Sequence, residues 1–256
     1  METFNNYDAR GPCNLPNCFQ CIRKKPVKVQ DKEIQKCLKD FENMEVELQE
    51  KWAKDLHWEF READFGFKEI AHDPNFCYHM IKLGVMNTII RVFLLDSTSH
   101  KTRFHLLGAL RNLSFEKRCK HVFMQSPDAG KVIKNIVDSE WFMYKAEGMS
   151  FISDLARTYP VKELQIVFTP DVMRKILFSL TTPYDEITAN YKNEGKFQQD
   201  IVFPFLPEGR IEYNLITDCI GNYRRNIITF FGSFLSRFSD KPDGYLQVLN
   251  NLQEDG

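Results

Sequence analysis

One phrase of this chain returns at a nearly fixed interval, and that return limits the folds open to it. Val85-Met86 with Ile89-Ile90 is echoed 47 residues on by Val132-Ile133 with Ile136-Val137. It is echoed a further 40 on by Val172-Met173 with Ile176-Leu177. A second phrase, Leu107, Leu110 and Leu113, recurs as Met149, Ile152 and Leu155 at an offset of 42, and a weaker third copy ends at Gly232 and Leu235. Gaps of three and four inside each phrase describe one face of a helix. No strand-like alternation of useful length occurs before residue 195. All-helical periods in the low forties predict a stacked α-solenoid: one hairpin or triplet cannot bury its apolar face alone, and stacking neighbours creates a continuous core.

The rest of the chain is consistent with packed helices. Its 256 residues leave room for one large core or two small ones, and 43% hydrophobic with 27% charged residues is an ordinary globular composition. The 22 Phe residues fill space between helices without adding a polar group to satisfy. Lys plus Arg is 34 and Asp plus Glu is 35, so the basic excess usual in a nucleic-acid binder is missing, although a local patch is compatible with that total. No run reaches the roughly 18 uncharged apolar residues of a membrane span. The opening METFNNYDAR is polar, with no apolar signal core, and seven cysteines in a long chain do not resemble a disulfide-rich secreted module. The expectation is an intracellular protein, cytoplasmic or nuclear, with no membrane partner.

Three regions follow along the chain. Residues 1–30, rich in Asn, Pro, Gly and Cys, read as an extended, Cys-containing basic tail. Residues 31–71 read as N-terminal capping helices. Asp31 serves as the N-cap of a long helix reaching residue 62, whose apolar stripe runs through Ile34, Leu38, Phe41, Leu48, Trp52 and Leu56, and a short helix follows a break near Gly66. Residues 72–256 read as the helical repeat domain. Asp73-Pro74 opens a helix that Gly84 closes, Val85 to Leu95 forms a second, Asp96 to Ser99 turns, and Lys101 to Phe115 forms a third. An irregular insertion at 181–212, with one short helix near Tyr184 to Lys192, interrupts the grammar; Pro204 breaks its apolar run Ile201 to Leu206. That run either caps the solenoid core or forms a lid over a binding surface.

Leu83-Gly84-Val85-Met86-Asn87-Thr88-Ile89-Ile90, followed by Leu106-Leu107-Gly108-Ala109-Leu110-Arg111-Asn112-Leu113, resembles the armadillo repeat family. It is similar to that family's Gly-led second helix and Ala-Leu-x-Asn-Leu third helix. The match is best over residues 72 to 137, looser to 180, and degenerate from 223 to 250; HEAT repeats have a similar length. The resemblance implies an all-α, armadillo-like right-handed superhelix of about three to four repeats, preceded by the long N-terminal helix. It implies a concave groove lined by third helices, where an Asn contacts the backbone of an extended peptide. Asn112 takes that position here, with Asp154 and Phe234 in its place in later copies, so a regular run of amide clamps is missing. Neighbouring ladder positions are Gly108, Ser150 and Phe230 on one side, and Phe115, Arg157 and Arg237 on the other. Such a surface suits an acidic or aromatic-bearing peptide; the alternative is that these side chains pack on the neighbouring repeat.

Motifs for catalysis are absent: no GxxxxGK[ST], no GxGxxG after a strand, no HExxH and no GxSxG. Cys77, Cys119 and Cys219 sit in apolar helical contexts as small hydrophobes. Cys13-x4-Cys18-x2-Cys21 has thiolate spacing suited to zinc, with a fourth ligand to come from Cys37, His57 or a partner; the other reading is a reducible tail. Arg23 to Lys28 reads as a nuclear import signal, a phosphate-contacting tail or a solvated linker. The functional expectation is a non-enzymatic adaptor or scaffold that binds a peptide or protein through a groove. The second reading is a nucleic-acid or ribonucleoprotein factor using the basic tail and the repeat surface.

Overall fold

The computed structural model describes residues 19–23, 25–59, 74–183, 185–187 and 212–237. Every regular element among them is helical. No helix among them is long and apolar enough to cross a membrane. The chain divides into two compact units, Met1–Glu116 and Lys117–Gly256.

In the first unit, α1 (Phe19–Arg23), α2 (Val27–Asp40), α3 (Val46–Glu59), α4 (Pro74–Lys82), α5 (Val85–Phe93) and α6 (His100–Leu113) follow in order. The expected long helix from 31 to 62 is two helices. A 3-10 turn at Phe41–Asn43 ends α2, and Met44 is extended, with φ −65° and ψ 148°. The aromatic core requires this break. Phe41 and Trp52 are both fully buried, with ring centres 6.1 Å apart. In one continuous helix their Cα atoms would lie about 16 Å apart along the axis. Buried Gln49 stabilises the break by donating its side-chain N–H to the carbonyl of Phe41, at 3.0 Å. The helix start also moves. Pro26 precedes α2, so Asp31 lies inside the helix, where it pairs with His79 at 2.9 Å instead of capping.

The N-terminal region differs from an extended tail wherever it is described. Phe19 and Ile22 on α1 are buried, and Phe19 meets Trp52 edge-on with ring centres 5.3 Å apart. Residues 1–18 lie outside the described residues, as do residues 60–73, where the short helix after Gly66 was expected.

Local chemistry sets the remaining boundaries close to those read from sequence. Gly84 has φ +99°, a conformation that L side chains rarely adopt, and it separates α4 from α5. The Ser99 hydroxyl accepts the Thr102 N–H at 3.1 Å and caps α6, which ends at Leu113 and leaves Phe115 in the following turn.

In the second unit, α7 (Lys117–Met124), α8 (Ala129–Asp138), α9 (Phe142–Thr158), α10 (Val161–Val167), α11 (Pro170–Thr181) and α12 (Glu212–Ser236) follow. Thr169 caps α11, with Pro170 in the first turn. The first echoed phrase falls on α5, α8 and α11, and eleven of its twelve residues are buried, Leu177 being the exception. The second falls on α6 and α9, with all six residues buried. The weaker third copy departs from its expected register: on α12 the buried face runs through Ile220, Tyr223, Ile227, Phe230 and Phe234, while Gly232 is exposed and Leu235 half-buried. Phe230 stacks on Phe234 and meets Phe168, with ring centres 5.7 and 5.0 Å apart. Of the short helix expected near Tyr184 to Lys192, residues 185–187 are helical; Tyr184 and residues 188–211 lie outside the described residues.

Both units contain a glycine against which a neighbouring side chain is seated. A methyl group on Gly108 would overlap the His57 ring, and one on Gly148 would overlap Cγ2 of Ile136. Ile136 is fully buried and β-branched, so its χ1 has little freedom to yield. Gly148→Ala is therefore expected to lower stability by about 1–2 kcal/mol, the overlap exceeding the roughly 1 kcal/mol that alanine adds to a helix interior. Urea unfolding checks this; a stabilised variant would mean that the notch is not filled.

Candidate functional site

Three of the sequence-predicted ladder residues meet at the C-terminal end of α9. Asp154 is buried, and its carboxylate pairs with the Arg157 guanidinium one turn on, while Arg157 itself stays exposed. Arg237, just past α12, donates to the backbone carbonyls of Arg157 and Tyr159. The last carbonyls of a helix have no intrahelical partner and carry the negative end of its dipole, so a cation there is doubly favoured.

Lys120 on α7 reaches the same helix end. It is buried, and its ammonium donates to Thr158 Oγ1 at 2.7 Å and to the carbonyl of Asp154 at 3.4 Å. Burial is the main influence that pulls its pKa below the usual lysine value, and Arg157 adds to it while Asp154 opposes. Beside it, His121 Nδ1 lies 2.9 Å from the Tyr159 hydroxyl. Burial and a hydrogen bond to Glu163 raise that phenol's pKa. The result is a cluster around exposed Arg157: Asp154 is its paired acid, Lys120 and Arg237 donate to carbonyls at the end of α9, and Glu163 bonds to Tyr159. Sequence reasoning named Asp154, Arg157 and Arg237 but missed Lys120. The signal was present: Lys120 stands three residues before buried Phe123, on the apolar stripe of α7, where a charge needs a partner.

The other ladder positions are distributed differently. Ser150 is half-buried on α9. Phe230 and Phe234 belong to the core, not to an open surface. In the first unit, Asn112 is buried, and its side-chain N–H donates to the carbonyl of His57 at 2.8 Å. Gly108 lies against the His57 ring, and Phe115 is half-buried. Thus α3 covers the face of α6 that carries Gly108 and Asn112. The Asn112 amide satisfies a carbonyl near the end of α3, where helix carbonyls lack partners.

For zinc, Cys13 and Cys18 lie outside the described residues, and Cys21 is half-buried on α1. Among the described residues no three His, Cys, Asp or Glu side chains come together to hold a metal ion. Of the basic run, Lys25 pairs with Glu33 at 2.6 Å.

No family model matches the chain. No curated protein matches it either. Among solved structures, an engineered protein from the Northeast Structural Genomics Consortium is similar at 14% identity and a TM-score of 0.49, over 88% of this chain and 98% of that one. A likeness of that degree bears on neither the fold family nor the function.

Proposed function

We propose that this chain is a non-enzymatic adaptor of armadillo-like helical repeats, and that it holds an acidic or aromatic-bearing peptide beside α9. The observation that carries this reading is the exposed Arg157, with its guanidinium oriented by buried Asp154 and flanked by Lys120 and Arg237. An oriented guanidinium recognises a carboxylate through paired N–H donors and loses less freedom on binding than a loose one. The echo of α5 and α6 in α8 and α9 supports the repeat architecture, and stacked repeats commonly serve as binding surfaces.

The test is a peptide array screened with the full chain, with acidic and aromatic content varied independently. Retained peptides are then measured by fluorescence anisotropy. Arg157→Glu is expected to weaken the best acidic peptide by about tenfold or more, with the helical circular dichroism unchanged. Equal affinity in that variant removes α9 from the proposal. Binding of single-stranded RNA that weakens steeply with salt, in place of any peptide, would replace this reading by the nucleic-acid one.

A further inference from the structure

His57, near the end of α3, and His105, on α6, face each other with Nδ1 atoms 3.3 Å apart and ring centres 5.6 Å apart. The difference between those distances is about what two ring radii occupy, so the nitrogens point at one another along a line. Two histidines sharing a tetrahedral metal would converge on it at an angle. The geometry is that of an N–H···N hydrogen bond. It requires one ring to carry its hydrogen on Nδ1 and the other to present a bare Nδ1.

Two further contacts seat the pair. Gly108, one turn along α6 from His105, leaves room for the His57 ring, and Asn112, a turn further on, holds the His57 carbonyl at 2.8 Å. Imidazole, notch and amide therefore fasten one end of α3 to a single face of α6.

Among the described residues, the groups around His105 oppose positive charge. On α3, Lys54 opposes a cation at His105, and on α6 Lys101 does the same. Two carboxylates of α3 already have cations: Asp55 pairs with Lys51, and Glu50 with Lys101. The other charged or titratable residues of these helices are Glu47 and Glu59 on α3, His100, Arg103 and Arg111 on α6, and Arg91 on α5, which pairs with Glu42. A first proton can enter the pair with the bond kept, as imidazolium donating to imidazole. A second occupies the acceptor nitrogen, breaks the bond and leaves two cations in contact.

We propose that the His57–His105 contact is an acid-released latch between α3 and α6, whose opening uncovers the Asn112 amide and the α6 face beneath it. Burial, then His57 and the two lysines, keep His105 well below its ordinary pKa of 6.5. The folded state therefore binds fewer protons than the unfolded chain. The latch's contribution is complete above the unfolded value and is lost as pH falls below it towards the depressed folded one. The inference stands on the geometry of the first unit and does not depend on the peptide reading.

Hydrogen exchange of the full chain, corrected for intrinsic rates, tests it. Protection of α3 amides is expected to fall by about tenfold or more between about pH 7.5 and about pH 5.5, with α8 as the internal reference. The double variant His57→Phe with His105→Phe, which keeps aromatic packing and removes both titrating groups, is expected to hold α3 protection constant over that range. Equal protection of α3 at both pH values in the natural chain overturns the latch, and so does the same loss in the double variant. Should that variant not fold, the histidine ring signals of the natural chain decide: His105 is expected to titrate well below its ordinary value together with a change in the Trp52 signal. Titration at or above that value with Trp52 unmoved overturns the proposal.

Discussion

Trp52→Ala is expected to lower the stability of the first unit by about 3–5 kcal/mol, the range for removing a fully buried large aromatic. Trp52 has no exposed surface and lies against both Phe19 and Phe41. Its loss therefore removes the common contact of α1, the 3-10 turn after α2, and α3. Relaxation is limited because the neighbouring rings are held from different helices. The measurement is urea unfolding followed by far-ultraviolet circular dichroism, read as a shift in midpoint at constant slope. Trp52→Phe, which leaves part of the ring contact, should lose less. A loss under about 1 kcal/mol for the alanine variant would mean that α1 is not seated on Trp52 in solution.

The second large effect is in the other unit. Phe230→Ala should cost about 3–5 kcal/mol there, because Phe230 is fully buried among Phe168, Phe231 and Phe234. The ring stack joins α12 to the segment between α10 and α11, so the loss is one of packing between elements and not of helix propensity. Phe178 on α11 supplies the contrast: it is 75% exposed, and Phe178→Ala should stay within about 0.5 kcal/mol of the natural chain. Similar losses at the two positions would show that the burial of Phe230 does not set its energy. The same unfolding measurement, made on both variants, distinguishes the cases.

These two aromatics also mark how far the sequence could be read. The echoed phrases were legible because each is local: a helical stripe needs only gaps of three and four, and the predicted stripes on α5, α6, α8, α9 and α11 are buried nearly residue for residue. Gly84 and the Asp96–Ser99 turn were legible for the same reason, since a helix end and a turn are properties of a few consecutive residues. The break after Phe41 was not. Phe41, Met44, Leu48 and Trp52 keep helical spacing straight through it, and its stabilising contact, Gln49 to the Phe41 carbonyl, has no pattern of its own. Helix α1 escaped because five residues are too few to show a period. On α12 the copy was matched by residue type, whereas the aromatic stack chose a face through Phe230 and Phe234. At the candidate site, helix position was enough to list Asp154, Arg157 and Arg237. The partner of Asn112 was out of reach, because it is a backbone carbonyl 55 residues away, and any residue type can supply a carbonyl.

The two glycine notches have a consequence for how the chain avoids error. A molecule whose helices echo one another risks pairing a helix with the wrong copy, or with the right copy one turn out of place, since the apolar stripes alone are nearly interchangeable. Gly108 receives an imidazole and Gly148 receives a branched aliphatic tip. A slide of one turn, about 5.4 Å, would drive either group into a position that carries a side chain. Each notch therefore works as a keyed joint. The apolar stripes supply adhesion of a common kind, while the two keys, different in shape and polarity, tell α6 and α9 which neighbour is their own and at what height to stop.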